Sequence, residues 1–442
     1  MKNPRRHQIE VADRAKTATK GTRLCVLERD LSFDKKALER ATYTKLEDID
    51  TDLLVVIASI AYVDRLISRR RGTQWGRALS VSIPVYHAEA WERVQQSLCT
   101  LLRSLTGDAW TLTFVAREKR NEMRQEFIGS LSPDFSGSTV IPYSGGLDSF
   151  AMLARIQHEE PNTRALLVNA RGSVMNESLA RPRDVSVIGV PFEFKKLKRP
   201  EPSYRTRTFT YFSLAALAWR RNRGSRIVIG ESGIGCLGPS LVPFGIEQPV
   251  RGSHPSFTDG LSQVLGSLWG GTPPPFSFPH LWQTKAMVLS ELANAESMRG
   301  WKATRSCSRN HKRQHSGAKG SHCGVCTGCL FRRVSLAAAG FASEDSTTYF
   351  EDVMTRASLR KEATKGDREV GICAVIAMQE LALLALQLGR MTAEVSDLAS
   401  ALRLPIDTTR SRLQTLIERH RDEWGQFVSK LPAKSWIHPV IN

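Results

Sequence analysis

What the chain has little of bounds it first. Long apolar runs are missing: the longest, Leu53 to Tyr62, is about half of the roughly 20 residues that cross a bilayer. No apolar segment comes after the basic residues of Met1 to Lys20, so there is no secretory leader pattern. A soluble, cytoplasmic protein with no membrane partner is expected. Cysteine is sparse, 8 among 442 residues, which excludes a disulfide scaffold. Four of those eight fall in one short segment, which points to a reducing compartment and a metal. Acids are outnumbered, 44 Asp and Glu against 62 Lys and Arg, giving a net charge of +18. That balance favours polyanionic partners such as nucleic acid, nucleotides or an acidic protein, without choosing among them. No internal repeat is found.

The chain does hold enough apolar material to fold. A 41% hydrophobic content over this length excludes a disordered chain and predicts two or three packed units. Residues 1–135 alternate helical stretches with strand-like runs at Leu24–Leu27, Leu79–Ile83 and Trp110–Val115, an N-terminal α/β region with no chemical motif. A Ser-, Pro- and Gly-bearing linker, Leu131 to Gly137, leads into residues 136–345. This middle region reads as a parallel α/β sheet. Its strands are expected at Thr139–Ile141, Ala165–Val168 and Arg226–Gly230, with Val185–Ile188 or Pro191–Phe194 between. Helices are expected from Leu147, Arg207 and Thr284. Gly270 to Pro275 is too rich in proline for regular structure, and part of a substrate pocket is expected near it. Residues 346–442 turn helical. The apolar spacing of Val395 to Ile417 resembles a helix-turn-helix; helix packing or partner docking is the preferred reading, DNA binding the alternative.

Two motifs carry chemistry. The first is Ser144-Gly145-Gly146-Leu147-Asp148-Ser149, where a strand opens through two glycines into a helix. Free backbone N–H groups and the positive end of the helix dipole then surround an anion. Gly145 and Gly146 permit unusual dihedrals and close backbone approach, Ser144 and Ser149 add hydroxyls, and Asp148 can orient the loop or hold a Mg²⁺ that bridges phosphates. The spacing is not that of the Walker loop. The hexapeptide after a strand is instead the signature of enzymes that cut ATP between its α and β phosphates. The competing reading is an ordinary Gly-rich strand-to-helix turn.

The second motif is Cys307 followed by Cys323-x-x-Cys326-x-x-Cys329. Four thiolates close a tetrahedral Zn²⁺ shell, with Gly324 and Gly328 allowing the backbone to fold tightly, so the metal is expected to be structural. A redox Cys-x-x-Cys pair would need neither the third spaced cysteine nor the distant fourth. His322 is an alternative ligand. Between Ala303 and Arg333 lie seven Lys or Arg and no acid, either a grip on a polyanion or a solvated surface loop.

With both motifs in hand, residues 138–342 resemble the 7-cyano-7-deazaguanine synthase (QueC) family of the adenine nucleotide alpha-hydrolase superfamily. The resemblance is carried by the strand-SGGLDS-helix unit and by Ser306-Cys307 with CGVCTGC. It extends to Arg207–Ala215 opening a helix, the pair Thr284-Lys285, Arg332, and Gly340-Phe341. Departures stand at Val168-Asn169-Ala170-Arg171, where that family carries Tyr-Gly-Gln, and at Thr208 in place of Asn. The added N- and C-terminal regions resemble the larger QueC-like proteins of bacterial antiphage defence clusters such as the Qat system.

The resemblance implies a parallel-sheet, HUP-like core with a zinc loop, and ATP, Mg²⁺ and Zn²⁺ as cofactors. It implies ATP-dependent adenylation of a 7-carboxy-7-deazaguanine-type acid. The nucleotide would lie on Ser144 to Ser149 with Val168 and Asn169, and Asp148, Lys285 and Arg207 would serve catalysis. The acyl group would then pass to an amine: ammonia, as in ordinary preQ0 synthesis, or an amine of a partner protein from the same gene cluster. Two other classes remain open. One is a tRNA-thiolating ATP pyrophosphatase, for which Cys236 is the best-placed extra cysteine; a small buried hydrophobe is its competing reading. The other is a non-catalytic nucleic-acid-binding module.

Overall fold

The computed structural model describes residues 6–36, 38–39, 46–69, 75–117, 135–171, 184–195, 197, 200–243, 249–308 and 322–441. The expected linker up to Asp134, and residues 309–321 of the basic segment, lie outside the described residues.

In chain order the first region gives β1 (Arg6–Ala12), β2 (Thr22–Val26), β3 (Leu31–Phe33), α1 (Asp48–Leu66), β4 (Ala78–Val85), α2 (Ala88–Thr106) and β5 (Ala109–Ala116). Four of the strands form one parallel sheet in the order β2-β1-β4-β5. The three strand-like runs read from sequence all fall in it. β1 carries no such signal: it begins among charges, and its core contribution is Ile9, Val11 and Ala12. α1 is buried along its length from Asp50 to Asp64, as a helix apolar on nearly all sides must be. α2 is amphipathic, burying Trp91, Val94, Leu98, Leu101, Leu102 and Leu105 at helical spacing.

The middle region gives β6 (Thr139–Pro142), α3 (Leu147–Glu159), β7 (Ala165–Asn169), β8 (Val185–Gly189), β9 (Phe192–Phe194), α4 (Arg207–Arg221), β10 (Arg226–Val228), α5 (Gly233–Leu241), α6 (Pro255–Trp269), β11 (Phe276–Ser277), α7 (Lys285–Glu291) and α8 (Thr327–Ala338). Five strands make a second parallel sheet in the order β8-β7-β6-β10-β11. The chain thus winds outward from β6 on one side, then returns to β10 on the other. Both faces are buried, as a parallel sheet requires. Val140, Leu166, Val168 and Ile227 face one core, and Ile141, Leu167 and Val228 the opposite one under α3. Of the two candidate runs after β7, Val185–Ile188 joins this sheet, while Phe192–Phe194 pairs antiparallel with β3.

That ribbon is one link between the regions; the core is another. A single apolar cluster runs from β1, β4 and β5 through α1, α2, α4 and α6 to one face of the middle sheet. The last region gives α9 (Lys365–Leu383), α10 (Thr392–Leu402), α11 (Ile406–Ser429) and α12 (His438–Ile441). It shares a second core with α5 and α8. Lys365–Leu386 is long and apolar enough to cross a bilayer by length and composition alone; here α9 packs against α8, α11 and α12. The helix-turn-helix spacing forms α10, a tight turn with Arg403 at φ +54, and α11. Of the apolar residues that suggest it, Leu398, Leu413 and Leu416 are buried in that second core, Leu402 is partly buried against it, and Ala399 is buried.

Candidate functional site

In an open parallel sheet, ligands lie beyond the carboxyl ends of the strands where the winding reverses. Here that point falls between β6 and β10, and the Ser144–Ser149 loop occupies it. β6 delivers the chain to Tyr143, and α3 starts at Leu147 with Gly146 as N-cap and no side-chain cap. Gly145 has φ +75 with nothing within 4 Å of where a Cβ would stand, so it is required for its left-handed backbone rather than for space. The Ser144 hydroxyl accepts the Gly146 N–H at 3.3 Å, and Ser149 Oγ donates to Gly146 O at 3.1 Å. These bonds hold the loop in shape, and no side chain caps the first amides of α3.

Opposite the loop, Lys285 Nζ lies 2.7 Å from Asp148 Oδ2, with only 7% and 16% of the two side chains exposed. Lys285 opens α7, capped by Thr284, and its ammonium sits 4.3 Å from the Phe331 ring centre. Arg207 opens α4 with its guanidinium 5.5 Å from the Tyr211 ring centre. It reaches the site through its field at Glu231, whereas Asp148 and Lys285 are in contact. Val168 and Asn169 end β7. Their carbonyls accept from the Tyr143 and Val190 amides at 2.7 and 2.9 Å, and Asn169 Oδ1 takes the Arg171 N–H at 2.9 Å. Both backbone acceptors are therefore committed to the sheet.

Sequence reasoning misses Glu231. It comes after β10, on the far side of the switch point from Asp148, and its carboxyl lies over Gly235, where a Cβ would come within 2.4 Å of Oε1. Burial, then the Asp148 charge, raise its pKa from 4.5 to about 7, against Lys285 and Arg207. Gly230 just before it leaves no room for a side chain, since a Cβ there would stand 2.9 Å from Asp148 O. His280 is also new to the site. It is buried with Nδ1 3.3 Å from Gly230 O, and burial lowers its pKa and favours the neutral ring. The signal for Glu231, an acid in Gly230-Glu231-Ser232-Gly233 at a strand end, carries weight only once the strand order is known. Cys236 is buried, its thiol 3.5 Å from Glu231 O, and burial pushes its pKa well up; a reactive thiolate needs the opposite surroundings.

The Gly270–Pro275 loop does not border this cleft, contrary to expectation. It leads into β11, which runs parallel to β10, with Pro275 O accepting the Ile227 amide. The loop therefore lies at the amino end of the sheet. The segment from the end of β11 to Thr284 is the part that approaches the site.

The sulfurs of Cys307, Cys323, Cys326 and Cys329 all lie within 4.8 Å of one another, with pairs at 3.5, 3.9 and 3.9 Å. A tetrahedral zinc with thiolate bonds of about 2.3 Å separates its sulfurs by about 3.8 Å, so the donor set fits. Mutual hydrogen bonding pulls the Cys307 and Cys326 thiols down and pushes Cys323 and Cys329 up; a cation would displace those shared protons. His322 does not take the place of a thiolate: the four sulfurs form the group without it, and its Nε2 accepts the Ser306 N–H at 3.0 Å. Gly328 packs so closely that a Cβ would stand 2.1 Å from Ser306 O. One residue earlier, the Arg305 N–H donates to Gly145 O at 2.9 Å. The four-cysteine cluster is thereby tied to the backbone of the Ser144–Ser149 loop.

No protein-family model matches the chain, and neither a curated protein nor a solved structure matches it.

Proposed function

We propose that the chain is an ATP-dependent ligase of the adenine nucleotide alpha-hydrolase type with a HUP-like core, adenylating a 7-carboxy-7-deazaguanine-type acid. The observation that carries this reading is the Ser144–Ser149 loop at the winding reversal with the Lys285–Asp148 pair beside it. An amide-lined turn at a helix start suits pyrophosphate, and a cation 2.7 Å from the loop's own acid suits the charge that develops as it leaves. A substrate carboxylate oxygen bonds to the α phosphorus, and the bond from that phosphorus to the bridging oxygen breaks, so pyrophosphate departs into the loop. An amine nitrogen then bonds to the acyl carbon, the bond to AMP breaks, and the amine loses a proton. Lys285 and the amides of α3 neutralise the leaving group, Arg207 adds positive field, and Asp148 orients Lys285. Mg²⁺, held by Asp148, would supply further neutralisation of the phosphates. Zinc on the four cysteines would hold the Arg305 strap against Gly145.

The test is AMP and pyrophosphate release from MgATP by the zinc-loaded chain, with and without 7-carboxy-7-deazaguanine. Release that depends on the acid and is lost in Asp148→Ala is expected; no release above the Asp148→Ala background would overturn the adenylation reading. We further read the amine as belonging to a partner protein in antiphage defence, a reading supported by the two added regions. The expected outcome is a protein encoded beside it that gains the deazaguanine acyl mass when combined with enzyme, ATP and acid, and absence of any such gain returns the acceptor to ammonia.

A further inference from the structure

The two site cations occupy matching positions. Arg207 is the first residue of α4 and Lys285 the first of α7, and each is preceded by a fully buried threonine, Thr206 and Thr284. Both threonines are held by a carboxylate from outside the middle region. Asp64 of α1 accepts the Thr206 backbone N–H and its hydroxyl, both at 3.0 Å. Glu423 of α11 accepts the Thr284 hydroxyl, while that same hydroxyl caps α7 by accepting the Met287 N–H at 3.2 Å. We propose that Asp64 and Glu423 are positioning residues, through which the N- and C-terminal regions set where Arg207 and Lys285 stand relative to the phosphate loop.

Neither carboxylate is a casual neighbour. Asp64 has no exposure and is itself fixed by Arg69 at 3.2 Å and Arg77 at 2.5 Å, which also grip buried Asp108 at 2.6 and 2.7 Å. The Arg69 N–H in turn donates to Glu201 at 2.7 Å, so the segment running to Thr206 is held at both ends. A buried ion network whose acceptors are filled has one geometry and passes it to whatever it bonds. Glu423 is simpler: its Oε2 is buried with no hydrogen-bond partner among the described residues, and Thr284 takes Oε1. Burying a carboxyl for a single hydrogen bond opposes folding, and what it secures is the residue that starts α7. The same region bears on the other wall of the cleft. Leu416 of α11 would stand 2.7 Å from a Cβ on Gly233, and Leu381 of α9 would stand 3.2 Å from one on Gly238, both on the helix just after Glu231.

What the cations act upon rests on the proposed function, but their positioning does not, so the experiment has two arms on the full chain. The first is amide hydrogen exchange in Glu423→Leu and Glu423→Gln. Exchange in the first turn of α7 is expected to quicken about tenfold in Glu423→Leu, the effect of one lost buried hydrogen bond. Glu423→Gln, which keeps a carbonyl acceptor, is expected to stay within about twofold of the parent. Thr206→Val against Thr206→Ser should reproduce the pattern at the start of α4. Unchanged exchange at both helices in folded variants overturns the proposal. The second arm is AMP release: Glu423→Leu is expected to lower kcat about tenfold with little change in KM for ATP, and Glu423→Gln to restore it. A lowered Tm with kcat intact reduces Glu423 to a structural contact and overturns the proposal too. A parent chain with no AMP release refutes the proposed function while the exchange arm still decides this one.

Discussion

Glu231 offers the sharpest physical test of the cleft because its removal should stabilise the protein, and only above the ordinary carboxyl range of pH. Its carboxyl is raised from 4.5 to about 7 by burial first and by Asp148 second. The folded state therefore holds a proton that the unfolded state releases, and stability falls as pH rises from about 4.5 through about 7. A difference of roughly 2.5 pH units at about 1.36 kcal/mol each gives about 3 kcal/mol, lost in full above the folded pKa. Glu231→Gln keeps the shape and cannot ionise. Urea unfolding at pH 4 and 8.5 should then show parent and variant close together at the acid end, and the variant more stable by about 3 kcal/mol at the alkaline end. Because the Asp148 charge adds to the rise at Glu231, Asp148→Asn should shrink the difference. Equal pH dependence in parent and Glu231→Gln would refute the reasoning, since it would mean that Glu231 is solvated like any surface acid.

Removing zinc by chelation, or by Cys326→Ser, is expected to free the Arg305 strap from Gly145. Metal analysis, together with a titration of Mg-ATP, should show zinc loss accompanied by nucleotide binding weakened about tenfold, the effect of one lost buried hydrogen bond at the loop. Lys285→Ala should lower kcat for AMP release by about 10²–10³ and change nucleotide affinity less, as steady-state kinetics beside a binding titration would reveal.

Local signals are legible in the sequence and non-local ones are not. The Ser144–Ser149 loop is contiguous and three of the four cysteines are closely spaced, so local pattern alone picks them out. The strands at Thr139, Ala165 and Arg226 are visible as short apolar runs because a sheet buried on both faces needs them. β11 is two residues long behind a run of prolines, with no periodicity to read. Without that strand, nothing local tells at which end of the sheet the Gly270–Pro275 loop lies. Glu231 escapes sequence reasoning because its meaning depends on β10 lying next to β6, which no local pattern states. The Asp64–Thr206 and Glu423–Thr284 bonds join residues 142 and 139 positions apart.

The division of labour arises from the chemistry of the parts. Backbone amides at the start of α3 are fixed by the loop that leads from β6, so an amide-lined turn can be written into six consecutive residues. Long cationic side chains are not fixed that way: Lys and Arg lose much rotamer freedom on being held, and something rigid must set where their helices begin. In this chain that rigidity comes from outside the middle region, from the buried ion network around Asp64 and from α11. The cores agree with the hydrogen bonds, since the N-terminal sheet shares one apolar cluster with the middle sheet and the C-terminal helices share another with α5 and α8. Cutting away either region would bare apolar surface and release a cation in the same act. The N- and C-terminal regions are therefore part of the site's construction, and a distortion of α1 or α11 acts on Arg207 or Lys285 by a single hydrogen-bonded step.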